Sequence, residues 1–254
     1  MCCIFENIQN YKMNLVIDVG NTRCKAAVFE RDILVSFTEF DKGKILSEIK
    51  KKIKKFSFDE ILISNVASIP KNKLEKLQKL SNFKFLSSKT NVPFINLYKT
   101  PQTLGVDRIA LISNAVIKYP NKNVLVIDAG SCITYDFVNV SKEYLGGAIS
   151  PGIQMRLKSL NKFTANLPLQ EKELLVDYIG KNTKESINSG VVNGVLREIE
   201  GVIEQYKSKY LHLTIVLTGG DTIFLSKQLK SSIFANQNFL LEGLNEILIF
   251  NKNK

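Results

Sequence analysis

Two side chains that dominate metal and nucleophilic chemistry are scarce in this chain. Among 254 residues there is one histidine, His212, and the four cysteines form no Cys-x-x-Cys pair. A structural zinc site needs about four closely spaced Cys or His ligands, so the sequence excludes one. A histidine-based catalytic triad would depend on His212, and no recognisable nucleophile motif lies near that residue.

Long hydrophobic runs are missing as well. No run reaches the roughly 18 consecutive apolar residues of a transmembrane helix, and the N-terminus lacks the charged start and apolar stretch of a secretory signal. We therefore expect a cytoplasmic protein without a membrane partner. Residues 1–12 precede a second methionine, Met13, directly before the first predicted strand. We interpret them as a disordered or non-native N-terminal extension.

Acidic residues are too few to balance the basic ones. The net charge is +11, and residues 42–89 alone hold 13 lysines against 4 acidic residues. Such a segment suits a nucleic-acid or membrane surface. However, it lacks arginine, which reads bases and phosphates better than lysine does. We favour a solvated helical face and expect no nucleic-acid partner.

A short segment of the chain occurs twice. Residues 15–20 read LVIDVG and residues 125–130 read LVIDAG, so five of six positions are identical at a fixed offset. Each copy continues into a second β-like segment, at 24–29 and at 133–138. This repeat of a strand–turn–strand unit predicts two similar α/β halves, 13–118 and 119–254, with the last helix able to pack back on the first half.

The remaining elements are read from hydrophobic spacing and from turn residues. Helices are predicted near 45–53, 71–80, 109–119, 153–160, 183–210 and 242–250, strands near 61–64 and 214–217, and a turn-dense loop over 146–152.

Each copy of the repeat ends in an aspartate close to a glycine. Gly20 and Gly130 permit a close approach of backbone N–H groups to a phosphate, whereas Asp18 and Asp128 would repel it unless a cation lay between them. The pair therefore predicts metal ions, with Mg²⁺ at one of the two aspartates. The alternative is that each aspartate merely caps a turn. Two matching copies, together with the later TGGD at 218–221, favour the metal.

The common nucleotide-binding fingerprints are absent. The chain has no G-x-x-x-x-G-K-[ST] and no G-x-G-x-x-G after a strand, which excludes a P-loop and a Rossmann dinucleotide site. Phosphate held by two hairpins, with a Gly-Gly segment for adenosine, resembles the actin-like ATPase superfamily. That resemblance implies an α/β fold of two actin-like (ribonuclease H-like) domains, with mixed sheets flanked by helices and a nucleotide cleft between them.

Seven motifs in a fixed order narrow the resemblance. They are DVGNTRCK at 18–25, YKTPQTLGVDR at 98–108, DAGS at 128–131, GGAISPGI at 146–153, TANLP at 164–168, GKNT at 180–183 and TGGD at 218–221. Their order and content resemble the type III pantothenate kinases from Met13 nearly to the C-terminus. Serine stands at 131, where threonine is common in that family, and the hydroxyl is kept.

The resemblance implies an activity and a set of roles. The family transfers the γ-phosphoryl group of ATP to pantothenate, the first step towards coenzyme A, as a homodimer that uses Mg²⁺ and a monovalent cation, K⁺ or NH₄⁺. Asp107 would accept the proton, Asp128 would bind the monovalent cation, and Asp18 would hold Mg²⁺ through water. ATP would be bound by Asp18, Val19, Gly20, Asn21, Thr22, Arg23, Cys24, Lys25 and Ser131. Pantothenate would be bound by Tyr98, Gly105, Val106, Asp107, Arg108 and Thr183.

The residue chemistry agrees with several of these roles. Arg108 carries a permanent, forked cation that suits a carboxylate. We expect Asp107 to stay ionised because it opens a helix and adjoins Arg108. Cys24 and Cys132, beside the two aspartate turns, are interpreted as small buried fillers, with redox sensing as the alternative.

Two other functions stay open at this point. One is a non-enzymatic relative that acts in transcription, similar to Bvg accessory factor, which the basic segment 42–89 would favour. The other is a kinase for a different small hydroxy acid, which would depend on the pocket of Tyr98 and Thr183. The complete set of Asp18, Asp107, Arg108 and Asp128 favours catalysis, since a pure binding protein would not need it.

Overall fold

The computed structural model describes residues 13–65, 69–174 and 177–252. The extension predicted at 1–12 lies outside the described residues. Within them, no helix is both long and apolar enough to cross a membrane.

A five-stranded sheet forms the first compact unit, which comprises residues up to Ser87 together with Leu244 onwards. Its strands are β1 (Met13–Val19), β2 (Cys24–Glu30), β3 (Ile33–Phe40), β4 (Phe58–Asn65) and β5 (Lys84–Phe85), and its helices include α1 (Ile45–Lys55) and α2 (Lys71–Gln78). The strand order is β3-β2-β1-β4-β5. β1 pairs antiparallel with β2 and parallel with β4.

One face of this sheet packs on the apolar side of α1. Leu15 and Ile17 of β1 belong to a buried cluster that also includes Ile45 and Ile49, one helical turn apart on α1. Lys52 follows on the same side, where its Nζ donates a hydrogen bond to the Ser36 hydroxyl at 3.2 Å, and burial lowers its pKa. The other lysines of α1 are exposed, as expected for a solvated helical face.

A six-stranded sheet forms the second unit, Ser88–Gly243. Its strands are β6 (Ile95–Asn96), β7 (Val124–Ala129), β8 (Cys132–Val138), β9 (Glu143–Pro151), β10 (Thr214–Thr218) and β11 (Phe234–Ala235). Its helices are α3 (Val106–Lys118), α4 (Ile153–Phe163), α5 (Thr183–Asn188), α6 (Gly194–Lys209), α7 (Thr222–Ser226) and the first residues of α8 (Phe239–Lys252). The strand order is β11-β10-β7-β8-β9-β6.

The two sheets repeat one pattern of strand pairing. In the second unit β7 pairs antiparallel with β8 and parallel with β10, as β1 pairs with β2 and β4 in the first. Both sheets are therefore mixed, and each contains one copy of the sequence repeat in its central hairpin. The α/β fold class predicted from the repeat is confirmed.

The compact units divide at a different place from the predicted halves. The sequence-based boundary at 118/119 falls inside the second unit, because α3 packs on β7 and β8 of the second sheet. The second half of α8 belongs to the first unit. There Asn245 accepts a hydrogen bond from the buried Asn14 of β1 at 2.8 Å.

The prediction of a loop over 146–152 was wrong. Residues up to Pro151 belong to β9, which pairs antiparallel with β8. Two glycines permit this strand pairing. A Cβ on Gly147 would lie 1.6 Å from the Tyr135 carbonyl oxygen, so only glycine fits there. Gly146 has a φ of +104° and lies beside a register shift. Glycines that suggest a turn can equally mark a bulge and a close backbone approach within a strand.

The helix predicted over 183–210 is present but not uniform. α5 and α6 are joined by one π-helical segment, Ser189–Asn193. Asn182 caps the start of α5, where its side chain accepts a hydrogen bond from the backbone N–H of Glu185 at 3.0 Å.

Candidate functional site

The first aspartate hairpin is a short turn between β1 and β2. Val19 pairs with Cys24, and the backbone N–H of Gly20 donates to the carbonyl of Arg23 at 3.1 Å, which closes the turn. The side chains of the turn, at 21–23, are exposed. Backbone and side-chain donors are thus accessible at the tip of this hairpin.

Asp18 lies on the sheet face opposite the apolar cluster that packs on α1. Its register partners are Lys25 on β2 and Ser64 on β4. Directly paired residues of neighbouring strands share a face. The Asp18 carboxylate therefore has a lysine and a serine as its cross-strand neighbours, so this part of the face carries charges of both signs.

Two other residues of the first hairpin are Arg23, which forms ion pairs, and Cys24, which is buried. Arg23 forms ion pairs with Asp41 at 2.5 Å and with Glu39 at 3.5 Å, all on exposed side chains. Exposed pairs of this kind contribute little, so they leave Arg23 free to exchange partners. Cys24 is fully buried, and burial, together with the Asp18 charge, raises the pKa of its thiol to about 11. It is a buried filler, as interpreted, whereas Cys132 is only partly buried.

The second aspartate hairpin joins β7 and β8. The backbone N–H of Gly130 donates to the carbonyl of Cys132 at 2.9 Å. Asp128 has Thr134 of β8 and Thr218 of β10 as register partners. Both neighbours are threonines, so the Asp128 carboxylate has no cross-strand lysine or arginine beside it.

Two glycine-containing segments pack directly on this second hairpin. A Cβ on Gly219, whose φ is +95°, would lie 2.4 Å from Asp128 Oδ1, and a Cβ on Gly152 would lie 2.1 Å from the Gly130 carbonyl oxygen. The backbone N–H of Asp221 donates to the carbonyl of Ala129 at 2.9 Å. The structure thus brings together residues 128–131, the end of the 146–153 motif and the TGGD segment.

The start of α3 presents Asp107. Gly105 precedes the helix, and a Cβ there would lie 2.4 Å from Asp107 Oδ1. That oxygen accepts a hydrogen bond from the backbone N–H of Arg108 at 2.8 Å. Burial raises the pKa of Asp107, and the charge of Asp136 adds to the rise. The backbone hydrogen bond and the charge of Arg108 lower this pKa, as expected, but burial is the larger effect. That Asp107 stays ionised remains a prediction.

Arg108 makes a buried ion pair. The residue is 4% exposed. Its Nε donates to Asp136 Oδ1 at 2.8 Å, and its Nη2 lies 2.7 Å from the same oxygen. The guanidinium carbon lies 5.6 Å from the ring centroid of Tyr98, which stacks on Tyr144 at 6.1 Å. Tyr98, Asp107 and Arg108 therefore belong to one cluster.

Thr183 lies in a different setting. It is the exposed first residue of α5 and lines a groove of about 680 Å³ together with Arg156, Ser159, Leu160, Leu167, Ser186, Ile187, Gly190 and Val191. Tyr98, Asp107 and Arg108 are not among the groove's lining residues. Thr183 therefore lines a groove to which those three residues do not contribute.

Sequence reasoning missed two residues of the Arg108 cluster. Asp136 is fully buried on β8, and Tyr144 of β9 donates its hydroxyl to Asp136 Oδ1 at 2.6 Å. One signal was present: an acidic residue inside the apolar strand segment 133–138 needs a buried partner. The sequence alone did not say which cation that partner is.

The residues around Asp18 and around Asp128 offer different possible ligands to the predicted ions. Among the described residues, no group of three or more His, Cys, Asp or Glu side chains could hold a metal. A divalent ion at Asp18 would therefore share one carboxylate with phosphate oxygens, which is the way Mg²⁺ commonly binds. At Asp128 the register partners are Thr134 and Thr218, and hydroxyl and carboxylate oxygens are ligands that a hard cation can take.

Comparison with known proteins identifies the family of the chain. The family model for type III pantothenate kinase matches residues 14–205. A type III pantothenate kinase from Christiangramia forsetii is 51% identical over 94% of this chain and 99% of its own length. A similar enzyme from Flavobacterium johnsoniae is 45% identical over 92% of this chain and 96% of its own.

Solved structures show the same fold at low identity. A conserved Campylobacter jejuni protein assigned to the Baf family of transcriptional activators is 23% identical, with a TM-score of 0.63, 94% coverage of this chain and 100% of its own. A glucokinase from an Antarctic psychrotroph is 9% identical, with a TM-score of 0.51, 94% coverage of this chain and 99% of its own. These likenesses establish the fold of actin-like ATPases and sugar kinases. The family match and the identity to curated relatives establish more: the chain belongs to the type III pantothenate kinase family.

Proposed function

We propose that this protein transfers the γ-phosphoryl group of ATP to the terminal hydroxyl of pantothenate, the first step of coenzyme A biosynthesis. Relatives named type III pantothenate kinase share between 36% and 51% of their residues with it. One observation in the structure carries the proposal: a partly buried carboxylate, Asp107, lies in the first turn of α3 beside a buried arginine.

Asp107 is proposed to accept the proton of the attacking hydroxyl. Phosphoryl transfer needs little covalent help, so a positioned acceptor and charge neutralisation carry most of the catalysis. A carboxylate whose pKa is raised by burial is a stronger base than a free aspartate. The hydrogen bond from the Arg108 backbone N–H orients one oxygen and leaves the other to face the substrate.

The pantothenate subsite is proposed to form around the start of α3. Gly105 and Val106 supply backbone at the helix N-terminus, and the ring of Tyr98 lies over the Arg108 guanidinium. Arg108 provides the cation for the pantothenate carboxylate. Thr183 keeps its proposed role in substrate binding on the family resemblance alone, since it lines a separate groove.

The ATP phosphates are proposed to bind to residues 18–25, with Ser131 as a further ATP contact. The accessible turn and Lys25 supply donors and positive charge, which favour an anionic ligand. Asp18 would hold Mg²⁺ through water, and when bound this ion neutralises charge on the transferring phosphoryl group. Asp128, without a lysine or arginine as cross-strand neighbour, would hold K⁺ or NH₄⁺.

The family resemblance also implies an assembly and a location. We propose a homodimer, and Leu145 and Ile149 of β9, which are 45% and 63% exposed, supply apolar surface that suits burial against a second copy. We also propose that the protein acts in the cytoplasm.

The direct test is ATP consumption by the wild-type protein with and without pantothenate. Asp107→Asn should lower kcat by about 10²-fold or more, the scale of a lost general base, while ATP binding persists. The amide keeps the shape of the side chain but cannot accept the proton. A coupled assay measures turnover, and calorimetry measures nucleotide affinity.

Asp32→Asn is the matched control, since Asp32 is exposed in the turn between β2 and β3. It should leave turnover unchanged. ATP consumption that does not rise when pantothenate is added would contradict the proposed function, and wild-type turnover in Asp107→Asn would remove Asp107 from the mechanism.

A further inference from the structure

Asp136 is a charged residue that none of the motifs includes. It is 0% exposed, in the middle of β8. Its Oδ1 receives hydrogen bonds from Arg108 Nε at 2.8 Å and from the Tyr144 hydroxyl at 2.6 Å. A buried carboxylate is costly to retain unless it is paired, so its presence calls for an explanation.

The ion pair is incompletely satisfied. In the part of the chain that the structure describes, Asp136 Oδ2 and Arg108 Nη2 are both buried and have no well-directed hydrogen-bond partner. Nη2 lies 2.7 Å from Asp136 Oδ1 but not in line with it. Unsatisfied buried polar atoms are rare in native proteins and are retained at functional sites more often than elsewhere. A purely structural ion pair would be expected to satisfy both oxygens.

Asp136 is close in the structure to two features of the second unit, the Asp128 hairpin and the start of α3. Alternate residues of a strand share a face, so Asp136 lies on the same face of β8 as Thr134, and Thr134 is the register partner of Asp128. On the other side, Asp136 holds Arg108, whose neighbour is Asp107. One sheet face thus carries both Asp128 and the residue that anchors the start of α3.

We propose that Asp136 is a positioning residue for pantothenate: it holds the Arg108 guanidinium in the orientation in which that group meets the carboxylate of the substrate. This inference rests on the proposed function. Tyr144 assists by its hydrogen bond to the same oxygen and by its stack against Tyr98. Asp136 itself touches no substrate; its effect passes through Arg108.

The test separates substrate positioning from simple structural support. Asp136→Asn keeps the side-chain shape but removes the charge that orients Arg108. The KM for pantothenate should rise about tenfold or more, as expected for the loss of a charge-assisted hydrogen bond. The KM for ATP should stay within about twofold, because residues 18–25 are untouched. Steady-state kinetics with each substrate varied gives both constants.

A double variant tests whether Asp136 acts through Arg108. In an Arg108→Gln background the guanidinium is gone, so adding Asp136→Asn should change the pantothenate KM by less than about twofold. Removing both charges also avoids an unpaired buried ion, which helps the double variant to fold. Where turnover is too low, calorimetric titration with pantothenate gives the same comparison.

Tyr144→Phe provides a milder probe if Asp136→Asn does not fold. It removes one hydrogen bond to Asp136 without changing any charge, and should raise the pantothenate KM about threefold. Tyr206→Phe, on α6, is the matched control and should leave both KM values unchanged.

Three results would overturn the proposal. They are a pantothenate KM close to that of the wild type in Asp136→Asn, an equal rise in both KM values, and an undiminished effect in the Arg108→Gln background. Failure of the proposed function is a separate result, since wild-type protein would then consume no ATP in response to pantothenate.

Discussion

The two aspartate hairpins have almost the same sequence and the same strand pairing, yet their surroundings differ in charge. Asp18 has Lys25 directly across from it on the neighbouring strand, whereas Asp128 has Thr134. On the parallel side the partners are Ser64 and Thr218. The difference between the hairpins is therefore one cation on one cross-strand position.

Under the proposed function, that single position bears on which ion each hairpin would hold. A carboxylate next to an ammonium group forms a mixed-charge surface, which can take a phosphate and its metal ion together. The Asp128 carboxylate instead has two hydroxyl-bearing neighbours, and oxygen atoms are the ligands that a hard cation prefers. One backbone pattern would then present two different ion sites, because register decides which side chains share a face.

The two hairpins also differ in the exposure of their turns. The turn residues 21–23 are exposed, whereas residues 130–132 are only partly exposed, and Gly152 packs against Gly130 and Ser131. An open turn can release a nucleotide at each cycle. A covered turn suits an ion that stays bound.

The largest expected difference between the hairpins concerns the two aspartates. Asp18→Asn should lower kcat by about 10²-fold at every K⁺ concentration, because the ion that neutralises phosphoryl charge loses its carboxylate. Asp128→Asn should instead raise the half-saturating K⁺ concentration by about tenfold, with activity recovering at high K⁺. Initial rates over a K⁺ series, with Na⁺ holding the ionic strength constant, distinguish the two. The comparison fails if both variants show the same K⁺ response.

A smaller effect is expected from the lysine that distinguishes the hairpins. Lys25→Met keeps much of the side chain's length but removes its charge, and should raise the KM for ATP by about tenfold through a lost charge-assisted contact with phosphate. Lys51→Met, on the exposed face of α1, is the matched control and should leave the KM for ATP unchanged. An equal effect of both substitutions would assign the change to overall charge and not to the hairpin.

The smallest expected effect is on thiol reactivity. Cys24 is fully buried and its pKa is raised to about 11, so at pH 8 it should resist alkylation. Cys132, the first residue of β8 beside the second turn, is partly buried and should be labelled first. Mass spectrometry in a background with Cys2→Ser and Cys3→Ser measures the order, and faster labelling of Cys24 would contradict the assigned burial.

Local patterns were sufficient for much of the fold. The hairpins could be read from the repeat, and α1 from the spacing of Ile45 and Ile49, because each of these elements buries a face that its own residues define. β3 was missed because its alternating side chains include Ile33, Val35 and Phe37, which are 65%, 43% and 44% exposed. An edge strand with apolar residues on its open face lacks the usual polar alternation.

For the candidate site, the sequence motifs identified candidate residues but not which residues contact them. Asp107 and Arg108 were identified from a motif, yet the burial that raises the pKa of Asp107 comes from residues packed around the helix start. The partner of Arg108 is 28 positions away in sequence, on β8. No spacing rule connects a helix N-terminus to the middle of a strand.

By itself, the sequence determined the fold class, the family and the two aspartate turns, because these depend on residues that are neighbours along the chain or copies of one another. Only the tertiary structure decided which side chain faces each aspartate, that the 146–152 segment is a strand and that Arg108 is held by Asp136. Those outcomes depend on strand register and on burial, which arise when distant segments pack together and which no single segment encodes.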